Sequence, residues 1–239
     1  MSTLRRGGLP TLLPEDQIFK DPSFEGTTAD CIYEKLKSIE GFGGLASKFE
    51  GLGTEFDVKL KIGQTQNNTV NAETRYKGVG QPIEITFNQG KMNRSAIQVG
   101  RTIVHEMVHA EMYRAINAAN PTEVELDFRE TFNAYVMMYR GSGDQQHNAM
   151  ANEWVTEMGS ILSDVHQQLD PARSNSFKNL FYPNGIPDHF YESLAWEGLE
   201  GTLAWNLMQN ITAPSTMVSP KDVIAQDLRN AEAGLKNCN

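Results

Sequence analysis

"TIVHEMVHAEM", residues 102–112, is the stretch on which this chain of 239 residues turns. Residues four apart on an α-helix stand on one face, so His105 and His109 present two imidazoles to a single point. Glu106 stands one step round, beside the pair, where it reaches a water at that point without being a ligand. Hydrolytic zinc chemistry asks for this spacing. The flanks strengthen the case. Over 95–118 the apolar residues Ile97, Val99, Ile103, Val104, Met107, Val108, Met112 and Ile116 leave almost no polar face, which predicts a buried helix. Polar groups in a buried helix are costly without partners. A metal ion supplies such partners; the alternative is a hydrogen-bonded core pair.

A catalytic zinc usually takes three protein ligands and keeps a fourth position for water. Histidines 147, 166 and 189 remain. With His147 placed on a helix, Met150, Trp154, Met158, Ile161 and Val165 fall within about 60° of it. His147 therefore lies on the inward stripe and is the expected third ligand, near a helix start that Asp144 can cap. His166 stands about 100° off that stripe and reads as a boundary residue. His189, in "IPDHFY", sits in or beside a loop and stays open as a substitute. Glu130 is a second substitute. In a helix over 122–140, however, it points about 160–200° away from most of the stripe formed by Val124, Phe128, Phe132, Tyr135 and Tyr139, which predicts a solvated charge.

Outward from the motif, the chain separates into an earlier strand-rich part and a later helical part. "FDVKLKI" (56–62) and "PIEITFN" (82–88) alternate apolar and polar residues, and "TVNAETRYK" (69–77) is a further strand candidate. Pro82 has no N–H to give a ladder, so "PIEITFN" is expected at a sheet edge over the cleft beside the motif, where an extended peptide adds through main-chain hydrogen bonds. Helices are expected over 28–39, with Thr28 as cap, and over 95–118, 122–140, 145–169 and 188–210, with a peripheral one over 221–236. The fold class is α+β. Residues 1–27 read as a lead-in segment, 28–210 as the domain, and 211–239 as a tail. In "YESLAWEGLEGTLAW" (191–205), Tyr191, Leu194, Trp196, Leu199 and Trp205 read as core, and Glu192, Glu197 and Glu200 as solvated.

The bulk properties exclude more than they assign. A net charge of −9 and a pI of about 5.1 disfavour phosphate backbones, so nucleic acid is an unexpected partner. No stretch approaches the roughly 20 apolar residues of a membrane span, and none resembles a signal-peptide core. Cys31 and Cys238 are in no metal-binding spacing and read as a small buried hydrophobe and a tail thiol. The compartment stays open, including export as part of, or alongside, a larger system.

"TIVHEMVHAEM", "QHNAMANEWV" and "YESLAWEGLEGTLAW" together resemble the zincin metallopeptidases. The similarity is closest to SprT-like enzymes and to metallopeptidase domains of exported or toxin-like Bacteroidetes proteins, and it covers about residues 28–210. The resemblance implies a zincin-like fold and Zn2+ held by His105, His109 and His147. It also implies Glu106 as the general base activating water for peptide-bond hydrolysis. SprT-like chains bring their third histidine sooner and often carry a cysteine zinc ribbon, which this chain lacks. A DNA-associated protease is therefore an alternative rather than the expectation. Another is a binding module in which zinc only ties helices together. Expected partners are a protein or peptide substrate and an inhibitor or immunity protein. Tyr182, Tyr191 and the arginines are candidate oxyanion donors.

Overall fold

The computed structural model describes residues 18–50, 56–78, 80–119, 128–140, 144–169, 177–199, 205–206 and 220–232, with positions 234, 236 and 238 of the tail. It is an α+β fold: a small mixed sheet plus a mostly helical remainder.

Alternation produces the strands. β1 (Ile18–Lys20), β2 (Val58–Gly63), β3 (Ala72–Arg75) and β4 (Ile83–Asn88) form a sheet of order β1-β2-β4-β3. β1 and β4 flank β2 in parallel, and β3 pairs antiparallel with β4. Val58 and Leu60 of β2 and Ile83, Ile85 and Phe87 of β4 are buried on the inward face. Lys59 and Lys61, one residue out of phase, make ion pairs with Asp21 and Glu84. β1 lies inside the segment expected to be a lead-in; its three residues belong to the sheet.

The expected edge position of "PIEITFN" is not observed. β4 is paired on both sides, along Val58↔Ile83 to Gly63↔Asn88 and along Ala72↔Phe87 to Arg75↔Glu84. Pro82 immediately precedes the first paired residue, so its missing N–H costs the ladder nothing. The edge next to β4 is β3.

The helices are α1 (Thr28–Lys37), α2 (Glu40–Ala46), α3 (Ala96–Ala119), α4 (Phe128–Arg140), α5 (Asp144–Leu169), α6 (Asp188–Trp196) and α7 (Pro220–Glu232). Thr27, one residue before the expected cap, accepts from the Asp30 N–H at 3.3 Å to start α1. α3 starts with a reciprocal cap. Ser95 Oγ accepts from the Gln98 N–H at 3.4 Å, and Gln98 Oε1 accepts from the Ser95 N–H at 3.3 Å. With 24 residues, α3 is about 36 Å long. It packs against β3 and β4 and against α1, α2, α4, α5 and α6, which is why it needs an apolar surface all round. Each fully buried Ile, Val or Met contributes about 1.5–3 kcal/mol of burial.

Two further expectations are corrected. The helix expected over 188–210 stops at Trp196, because the chain turns through Gly198 at φ 92°. The cysteines are not separate thiols. Cys31 on α1 and Cys238 in the tail form a disulfide across 207 residues of sequence. A pairing over that separation leaves no local signal. Among the described residues, no helix is long and apolar enough to cross a membrane.

Candidate functional site

Helical geometry places His105, Glu106 and His109 on one turn of α3, and packing from both sides buries all three. Burial acts on the charges. It pushes His105 down to about 3, aided by the nearby Arg101 and His109 and opposed by Glu106. His105 is then a neutral imidazole at pH 7, the form that can offer a lone pair to a metal. For Glu106, burial acts first, to raise the carboxyl. Contact with His109, the field of both imidazoles and the Thr74 hydroxyl outweigh that and hold it below the usual carboxylate range. The site thus pairs a neutral imidazole with an ionised carboxylate.

Three neighbouring segments, and α3 itself, close on this turn. From β3, Thr74 Oγ1 donates to Glu106 Oε2 at 2.6 Å and lies 3.3 Å from the Glu106 carbonyl oxygen. From α4, Thr131 Oγ1 lies 3.0 Å from His109 Nε2. Within α3, Tyr113 stacks on the His109 ring at 4.8 Å between centroids and 20° between planes. His109 Nδ1 faces Glu106 Oε2 at 3.9 Å, an electrostatic contact too long for a hydrogen bond. From the turn after α6, Gly198 comes close against the His105 ring. A Cβ there would come within 2.7 Å of His105 Cε1 and 3.3 Å of both ring nitrogens.

That turn is anchored. Glu197 forms an ion pair with Arg101, one helical turn before His105, and its Oε1 accepts from Asn71 Nδ2 at 3.1 Å. Arg101 Nη1 also donates to the Glu197 carbonyl at 3.4 Å. Glu197 is therefore not the solvated charge expected. Arg101 is buried, and Arg94 nearby is lowered to about 10 by burial and by Arg101, with Glu197 opposing.

Other expected residues fall as follows. His147 lies in the first turn of α5, where the side chains are outside the described residues; α5 itself packs on α3. Glu130 is exposed on α4, while its neighbour Thr131 is buried and reaches His109. His189 Nδ1 is 3.0 Å from Asp227 Oδ2. His166, expected at a boundary, is buried, with Nδ1 3.1 Å from Tyr191 Oη and its ring edge-on to Phe177. The Tyr182 hydroxyl donates to Asp227 at 2.7 Å, so both candidate tyrosines are engaged away from α3. Tyr191, Leu194, Trp196 and Leu199 are core, and Trp205 packs on Trp196. Glu192 is partly exposed and meets Thr156 at 3.5 Å, and Glu200 lies outside the described residues.

Among the described residues, no three His, Cys, Asp or Glu side chains form a metal-binding group by themselves. Two imidazoles one turn apart, at least one of them held neutral, fit part of a zinc donor set. Thr74, Thr131, Glu197 and Gly198 are the residues that sequence reasoning missed. No family model, curated protein or solved structure matches the chain.

Proposed function

We propose that this protein is a zinc-dependent metallopeptidase of zincin-like fold, with His105, His109 and His147 as metal ligands and Glu106 as general base. The observation that carries this reading is the buried turn of α3. His105 and His109 stand one turn apart, beside an ionised Glu106 that a strand hydroxyl orients. A zinc site with a purely structural role has no use for such a carboxylate, and burying it is costly. Zinc, when bound, supplies Lewis acidity that polarises a carbonyl and acidifies water. Glu106 takes the proton from the attacking water and passes it to the leaving nitrogen.

β3 gives the substrate a place to lie. Asn88 N–H donates to the Asn71 carbonyl at 3.0 Å, so pairs 71/88, 73/86 and 75/84 carry the ladder bonds. The main-chain groups of Ala72 and Thr74 therefore point away from β4, to the side of β3 that has no strand partner among the described residues. An extended peptide adding there pairs with them and lies beside Glu106.

The test combines metal analysis with profiling of new peptide ends in a proteome digest. Protein purified without added metal is expected to carry about one zinc per chain. Glu106→Gln is expected to keep zinc and fold but lose new ends by about 100- to 10,000-fold. A metal-free protein that takes up no zinc on titration, or undiminished cleavage by Glu106→Gln, overturns the proposal.

A further inference from the structure

Thr74 occupies a position where a strand normally places an apolar residue. It is on the inward face of β3, 5% exposed, in register with buried Ile85. Valine has nearly the same shape and a stronger preference for such a site. A hydroxyl buried there is a cost unless it is hydrogen-bonded. It is spent on one group: the 2.6 Å bond to Glu106 Oε2 is short, as expected for a hydroxyl meeting an ionised carboxylate, and the Glu106 carbonyl at 3.3 Å is the second acceptor in range. The partner comes from a different element, 32 residues away, so the bond fixes the carboxylate relative to the sheet as well as to its own helix.

The same residue faces two ways. Its side chain holds Glu106, while the β3–β4 register turns its main-chain N–H and C=O away from β4, to the side of β3 that has no strand partner among the described residues. We infer that Thr74 is a positioning residue: its hydroxyl sets the Glu106 carboxylate relative to the edge on which the peptide lies. This rests on the metallopeptidase reading above. The division of labour follows directly. Substrate pairing uses the Thr74 main chain, which any residue supplies; base placement uses the hydroxyl, which only Thr or Ser supplies. Removing the hydroxyl is therefore expected to lower kcat and leave KM alone. A group aimed by one charge-assisted hydrogen bond loses about tenfold to a hundredfold in rate when the bond goes.

The experiment compares wild type, Thr74→Val, Thr74→Ser and Glu106→Gln, all zinc-loaded, on fluorescein-labelled casein. Thr74→Val is expected to lose about tenfold to a hundredfold in kcat, with KM within about twofold and zinc content unchanged. Thr74→Ser is expected to recover to within about threefold of wild type. Thermal melts of Thr74→Val, Glu106→Gln and the double variant give a readout independent of turnover, and the two single losses are expected to be non-additive. Wild-type kcat in Thr74→Val overturns the inference. So do equal losses in the Val and Ser variants, or additive melts. Failure of the metallopeptidase reading shows separately, as the absence of any wild-type casein cleavage that Glu106→Gln abolishes. In that case the melts alone decide whether Thr74 orients Glu106.

Discussion

His105 and His109 share a helix face and a depth of burial, yet they are held by different means. His105 lies under main chain: the Glu197–Gly198 turn covers it, and the Arg101–Glu197 ion pair pins that turn. His109 lies among side chains, with Thr131 at its Nε2 and Tyr113 against its ring. A backbone cover is rigid and excludes atoms; a side-chain partner can rotate away. The difference says that the His105 half of the site is set by folding, through a turn more than 90 residues distant. The His109 half retains a group that can yield to a metal.

The comparison breaks most easily at Glu197. Its carboxylate is the partner of the buried Arg101 and opposes the fields of two guanidiniums. Removing one member of such a pair leaves an uncompensated charge, which costs on the order of 3 kcal/mol. Glu197→Gln is therefore expected to lower stability by about that much in urea unfolding, and to loosen the cover on His105. If Glu197→Gln unfolds at the wild-type midpoint, the turn is held by something else, and the rigid half of the comparison fails.

A smaller change tests the cover itself. At φ 92°, an alanine at position 198 is strained by about 1–3 kcal/mol, and its Cβ would meet the imidazole at 2.7 Å. The ring must move or the turn must lift. Gly198→Ala is expected to weaken zinc binding by about tenfold to a hundredfold in chelator competition, the range for groups that orient a ligand. Unchanged affinity would mean that the His105 ring is not set by this turn.

These residues mark the boundary of what was legible. The motif was visible because helical periodicity is local: four residues decide that His105 and His109 share a face. β2 and β4 were visible through alternation over six or seven residues, whereas the three residues of β1 are too few to show one. Thr74, Thr131 and Glu197 act across gaps of 22 to 96 residues, where the sequence carries no period. Two local signals misled. Pro82 argued for an edge, but it precedes the ladder and says nothing about β4's neighbours. The apolar run 191–205 read as one helix over 188–210, and one glycine at positive φ ends that helix after Trp196. The cysteines illustrate the limit most simply. Two lone residues with no motif between them are a disulfide only once the tail has returned to α1.

The finest test concerns Thr131, on the yielding side. Its hydroxyl is 3.0 Å from Nε2, the ring nitrogen that stands farther from the backbone and the one that the proposed zinc site would use. A hydroxyl bonded to that nitrogen competes with metal. The bond is worth about 1 kcal/mol to the metal-free protein, and it is given up on loading. Thr131→Val keeps the shape and removes the competitor. Metal-free protein is then expected to lose about 1 kcal/mol of stability, while zinc affinity rises by about fivefold. The sign carries the information. A fall in affinity by a similar factor would mean that zinc uses Nδ1, the nitrogen facing Glu106, with Thr131 fixing the ring from behind. His109 would then be held as firmly as His105, and the contrast between the two halves of the site would be lost.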